Sequence, residues 1–188
     1  MALELAIRDV EAGYGAVRAL HGVSLSVGTG ATVALLGTNG NGKSTLMKCV
    51  MGMVRPTRGS VSLTIDGTTH DLTRLSTEEI VNLGVAMVPE GRRLFPRLTV
   101  EENLLVPSAY VRHLKDSEGE EQGMEILRGM GLAEKAGVNA SQLSQVELRK
   151  LELARAMAAK PRLLISDEAM AGLAGTEVDE VLKILFDL

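Results

Sequence analysis

Gly37-Thr38-Asn39-Gly40-Asn41-Gly42-Lys43-Ser44-Thr45 fits the pattern G-x-x-x-x-G-K-[ST], and its flanks constrain the chain further. Before it runs an apolar stretch of strand length, residues 31–36, as expected for a strand covered on both faces. After it, residues 43–53 have helical periodicity, with Leu46, Met47, Val50 and Met51 on one face. Glycines let a backbone wrap tightly and turn successive N–H groups inward as a nest for an anion. A helix starting near Lys43 adds the positive end of its dipole. Lys43 brings a full charge to β- and γ-phosphates, and the Ser44 hydroxyl is a ligand for Mg²⁺. The loop therefore reads as a site for MgATP, with Gly37, Asn39, Gly40, Asn41, Gly42, Lys43, Ser44 and Thr45 against the nucleotide.

Such a site needs a carboxylate on the metal, at the end of a neighbouring strand. Leu163-Leu164-Ile165-Ser166-Asp167 supplies it: an apolar strand delivers Asp167 at its C-terminal end, where ligands bind in open α/β sheets. Glu168 follows, toward the γ-phosphate side, where a carboxylate can polarise an attacking water.

The rest of the chain supports this organisation. Leu3, Leu5 and Ile7 alternate with polar or small residues, as do Val23, Leu25 and Val27, and Val61, Leu63 and Ile65 lead into an Asp66-Gly67 turn; all three read as half-buried strands. Ser76 and Glu79 have the spacing of a capping box. Residues 85–88 form a short apolar strand before Pro89. From Thr99 to Ala159 the pattern turns helical, with a charge-rich run at 115–121 and a strong helix over 147–160 that Pro161 ends. A final helix opens at Thr176. The order predicts an α/β fold: a parallel core sheet with an antiparallel β subdomain and a helical subdomain, about residues 91–157, inserted between two buried parallel strands, all within a single domain spanning 1–188.

The bulk numbers narrow the function classes. With 188 residues and a hydrophobic fraction of 45%, the chain can bury an adequate core without disulfides, and its single cysteine, Cys49, excludes an internal one. A net charge of −4 argues against a surface made to follow nucleic acid. The first ten residues lack the apolar core of a secretory signal, and no run is long enough to cross a bilayer. If the protein works at a membrane, a partner must hold it there. His21, His70 and His113 have no metal-ligand spacing and read as loop or surface residues.

The layout from Lys43 to Asp167, with helices between, resembles the ABC transporter ATPases over nearly the whole chain. The resemblance implies the fold of an ABC-type P-loop NTPase. It implies that Tyr14 stacks on adenine with Val17 as its apolar neighbour, and that Glu90 stands where a glutamine usually reaches toward Mg²⁺ and the attacking water. The stretch 89–104, with Arg93-Leu94-Phe95-Pro96 and Thr99-Val100-Glu101-Glu102-Asn103-Leu104, resembles the subfamily that drives uptake of branched-chain and other hydrophobic amino acids. By that resemblance, Phe95 and Leu98 are exposed anchors for a membrane subunit; core packing of the helical subdomain is the alternative.

The same resemblance implies a working dimer, of two such chains or of this chain with a related ATPase subunit. Two ATP molecules would be sandwiched between Lys43, Ser44, Asp167 and Glu168 of one subunit and the Ser144 helix of the other. Transmembrane permease subunits would be the partners, and the location peripheral, on the cytoplasmic face of the inner membrane. Several positions depart from the family pattern. The signature Leu-Ser-Gly-Gly-Gln aligns with Leu143-Ser144-Gln145-Val146-Glu147, so both glycines are replaced. Ala169 stands for the usual proline and Ala174 for an aspartate, and the sequence stops before the strand that carries the family's switch histidine. The chain thus reads as C-terminally incomplete. Two further readings stay open: a nucleotide-binding regulatory module with little turnover, and a soluble relative acting on nucleic acid, which the acidic balance disfavours.

Overall fold

The computed structural model describes residues 2–91 and 93–167. They fall into two compact units, one up to Val85 and one from Ala86 on.

The first unit is built on alternation. β1 (Leu3–Tyr14) and β2 (Val17–Gly28) form a long antiparallel hairpin in which Leu5 faces Val27 and Ile7 faces Leu25. On its other edge β1 pairs with β3 (Arg58–Ile65), which turns through Asp66-Gly67 into β4 (Thr68–Asp71), giving the order β2-β1-β3-β4. Asp66 and Gly67 both have positive φ (48° and 86°), the geometry of a tight hairpin turn. The inward residues Leu5, Ile7, Val10, Val61 and Leu63 are buried, as are Leu46, Cys49 and Val50 of α1 (Lys43–Val50). Helix α1 stops three residues short of the expected end, because Gly52 (φ 68°) leaves the helical region. A short α2 (Thr77–Asn82) starts on the expected capping box, with the Ser76 hydroxyl accepting from Glu79 N–H and the Glu79 carboxylate accepting from Ser76 N–H. The Arg55 guanidinium holds the approach to it by donating to the carbonyls of Thr73 and, at 2.6 Å, Leu75.

One expectation fails here. Residues 31–36 are not a strand, and all but the half-buried Leu35 are exposed, Leu36 by 92%. An apolar run becomes a buried strand only where neighbours take up its N–H and C=O groups. Among the described residues no strand flanks this segment; Ala31 N–H, donating to the Gly28 carbonyl, ends the β2 turn rather than joining a ladder.

In the second unit β5 (Val85–Val88) pairs in parallel with β6 (Leu163–Ser166). β6 is half-buried along its length rather than covered on both faces as expected, since the described sheet has only these two strands. The helices α3 (Val100–Tyr110), α4 (Asp116–Gly129) and α5 (Gln145–Ala158) pack around Val100, Leu104, Leu127, Leu132, Leu151 and Leu153, each at most 1% exposed. The charge-rich run at 115–121 supplies the N-cap, Lys115, and the first residues of α4. The final helix expected from Thr176 lies outside the described residues.

Candidate functional site

The loop 37–45 ends in a helix whose N-terminus is left open. Gly42 is the N-cap of α1 in the left-handed region (φ 81°), and Gly40 has φ 87°. A Cβ on Gly42 would lie 2.6 Å from the Ala19 carbonyl oxygen and 2.7 Å from a Leu20 methyl, so the loop rests directly on β2. Leu46 N–H donates to the Gly42 carbonyl at 2.9 Å as the first full helical bond. No side chain caps α1 and no acid sits in its first turn. Helices α2, α3 and α5 each close their N-terminus with a capping box, Ser76 with Glu79, Thr99 with Glu102 and Ser144 with Glu147. The first-turn N–H groups of α1 are thus suited to an anion in a way those of the other three are not.

Lys43 completes this arrangement. Its ammonium donates to the carbonyls of Gly37 (2.8 Å) and Thr38 (2.9 Å), folded back over the loop that leads to it. Asn41 N–H donates to the Thr38 carbonyl at 3.4 Å and narrows the turn. Asn39, Gly40 and Asn41 are exposed, Ser44 is half-buried and Thr45 is buried. A cation held by two neutral carbonyls can exchange them for phosphate oxygens, a stronger charge-assisted partner. The residues present therefore fit a nucleotide polyphosphate.

Tyr14 and Val17 belong to the same unit and face each other where the β1–β2 hairpin closes. Tyr14 is 49% exposed and Val17 70%. The ammonium of Lys48, on α1, lies 5.9 Å from the centre of the Tyr14 ring. Cys49 beside it is fully buried, and burial pushes its thiol up to about 11, which makes it inert packing.

In the second unit Asp167 follows β6, is 3% exposed, and donates its backbone N–H to the Val88 carbonyl at 2.9 Å. The C-terminal ends of β5 and β6 are thereby joined, and Glu90, exposed, stands two residues past Val88. Glu168 lies outside the described residues, as do Ala169 and Ala174. A metal-holding cluster of three or more His, Cys, Asp or Glu side chains does not occur among the described residues; a Mg²⁺ held by one hydroxyl, a carboxylate and phosphates does not require one.

Ser144 is the N-cap of α5, which starts at Gln145, two residues before the expected 147. Its hydroxyl accepts from Glu147 N–H, and the Glu147 carboxylate accepts from Ser144 N–H (2.9 Å) and from Lys135 (2.5 Å). The hydrogen bond from Lys135, followed by that from the Ser144 backbone, holds the Glu147 carboxyl down at about 2. This helix start is occupied by the chain's own carboxylate.

Three residues have roles that the sequence does not mark. Lys48 and Lys135 are surface lysines whose partners are remote or in another element, so no local pattern marks them. Asn103, fully buried, pins the loop before α3: its Oδ1 accepts from Phe95 N–H, and its Nδ2 donates to the carbonyls of Phe95 and Thr99. The pinned loop presents Phe95 at 45% exposure, whereas Leu98 is half-buried. His21 is exposed on β2 and His113 is exposed in the loop after α3, both at the surface as expected, and His70 is half-buried on β4.

The model of the ABC transporter family matches residues 20–171. The high-affinity branched-chain amino acid transport ATP-binding protein BraG of Pseudomonas aeruginosa is 36% identical, over 98% of this chain and 76% of its own length. The methionine import ATP-binding protein MetN of Rhizobium johnstonii is 35% identical over 97% of this chain, which spans only about half, 49%, of that relative. Among solved structures, an ATP-binding cassette of an ABC transporter in its ADP conformation superposes with a TM-score of 0.85 at 25% identity, over 100% of this chain and 76% of its own.

Proposed function

The chain belongs to the ABC transporter family of ATP-binding proteins, and from that premise we propose that it binds and hydrolyses MgATP to drive amino acid import. The observation that carries this reading is the open, uncapped N-terminus of α1 behind the glycine loop, with Lys43 poised on two loop carbonyls. Lys43 meets the β- and γ-phosphates, and the first-turn N–H groups of α1 receive the phosphate oxygens. Ser44, Asp167 and Glu90 serve the metal, which neutralises phosphate charge when bound. Glu168 polarises the attacking water. Tyr14 and Val17 take the adenine.

The finer reading is import of branched-chain or other hydrophobic amino acids, which the 89–104 stretch and the likeness to BraG support. The methionine import relative, at nearly the same identity, supports amino acids as the wider class. The working form is a dimer with a second copy or a related ATPase subunit, seated on transmembrane permease subunits at the cytoplasmic face of the membrane. Among the described residues no helix is long and apolar enough to cross a bilayer, which agrees with a peripheral role. The exposed Phe95, on a loop fixed by Asn103, is the anchor for the permease.

One observation favours a second reading, a nucleotide-binding module with little turnover. Gln145 and Val146 stand at the start of α5, where the Ser144 hydroxyl accepts from Glu147 N–H and the Glu147 carboxylate accepts from Ser144 N–H. Phosphate release at saturating MgATP, with Glu168→Gln as the blank, separates the two. Release that depends on Glu168 supports the ATPase. Binding of MgATP with release equal to the blank supports the module.

A further inference from the structure

We propose that Lys48 is a positioning residue for the purine base: its ammonium holds the Tyr14 ring from one side and readies the other face for stacking. This rests on the reading of Tyr14 as the residue that takes the base. Four observations carry it. The Lys48 Nζ lies 5.9 Å from the Tyr14 ring centre, inside the range where a cation is drawn to the face of an aromatic ring. Tyr14 keeps 49% of its surface exposed, so the cation does not bury it. The hairpin tip is fixed, since Tyr14 pairs with Val17 and a Cβ on Gly13 would come within 2.1 Å of the Val17 carbonyl oxygen. Lys48 sits on α1, the helix that opens with Lys43, so it ties the aromatic to the helix that carries the phosphate loop.

The physical consequence is twofold. A ring held in one orientation loses less freedom when a base arrives. A cation on one face also draws π density from the ring, which favours an electron-rich purine on the opposite face. The contact is with a π-face rather than with base edges, so it serves adenine and guanine alike. A lysine near a phosphate loop has a plainer use, attraction of the polyphosphate itself, and the two uses predict different ligand dependence.

The test measures Kd by calorimetry for MgATP and for magnesium tripolyphosphate, which lacks a base, in the full chain. The variants are Lys48→Met, Lys48→Arg, Tyr14→Ala and the Lys48→Met/Tyr14→Ala double. Expected is a loss of about two- to fivefold in MgATP affinity for Lys48→Met, recovery in Lys48→Arg, and no change toward tripolyphosphate. In the Tyr14→Ala background the Lys48 substitution then has no further effect. Equal weakening toward both ligands, or a loss that persists without Tyr14, overturns the proposal in favour of phosphate attraction. A loss in Tyr14→Ala with none in Lys48→Met overturns it while leaving Tyr14 as the base residue. No loss in Tyr14→Ala removes the reading beneath it as well.

Discussion

Gly40 and Gly42 have nearly the same backbone conformation, φ 87° and 81°, in very different surroundings. At Gly40 an added Cβ meets nothing within 4 Å, whereas at Gly42 it meets the Ala19 carbonyl at 2.6 Å. Gly40→Ala carries only the left-handed penalty, about 1 kcal/mol. Gly42→Ala adds overlap with the backbone of β2 and is expected to lose about 2–4 kcal/mol. Urea unfolding of the two variants checks this, and equal losses would show that loop conformation alone, not the contact with β2, sets the requirement. The motif made both glycines legible as phosphate-loop residues. It did not distinguish them, because the contact that makes Gly42 stringent comes from a strand more than twenty residues earlier.

At the scale of elements, α5 shows what holds a helix start together. Its capping box joins Ser144 and Glu147, and the Lys135 contact that completes it comes from the short 3₁₀ turn Ala133–Lys135. Lys135 is the first cause of the depressed Glu147 carboxyl, lowered from 4.5 to about 2. A carboxyl that is more acidic when folded contributes stability above its unfolded value and loses it as pH falls toward the folded one. Lys135→Met should therefore lower stability at pH 7 by about 0.5–1 kcal/mol, given the solvent exposure of the lysine. The gap from wild type should close between pH 4.5 and about 2. Urea midpoints at pH 7, 4.5 and 2.5 decide it; a gap as large at pH 2.5 as at pH 7 would assign the lysine a packing role instead. The alternating strands and the Ser76–Glu79 cap were legible because each is a local pattern with one physical solution. Residues 31–36 were not, because apolar composition states which environment a segment suits, while strand formation depends on hydrogen-bonding neighbours that its own residues do not encode.

At the scale of the whole molecule, the loop 37–45 and Tyr14 belong to the first unit, and Asp167 and Glu90 to the second. Motif order in the sequence is what assigns them to one nucleotide, and the acidic Glu168 falls outside the described residues. A ligand that binds only the native chain stabilises it by mass action, whichever residues it touches. MgATP at one hundred times its Kd should raise the unfolding free energy by about 2.7 kcal/mol. Lys43→Ala, which removes the ammonium now resting on Gly37 and Thr38, should abolish that gain at the same MgATP concentration. The readout does not depend on hydrolysis, so it holds for a working ATPase and for a binding-only module alike. Urea midpoints with and without MgATP measure it. An unchanged midpoint in the wild type would mean that the open helix start does not hold nucleotide, whereas an equal rise in Lys43→Ala would move the phosphate contact away from Lys43 and onto the backbone N–H groups alone.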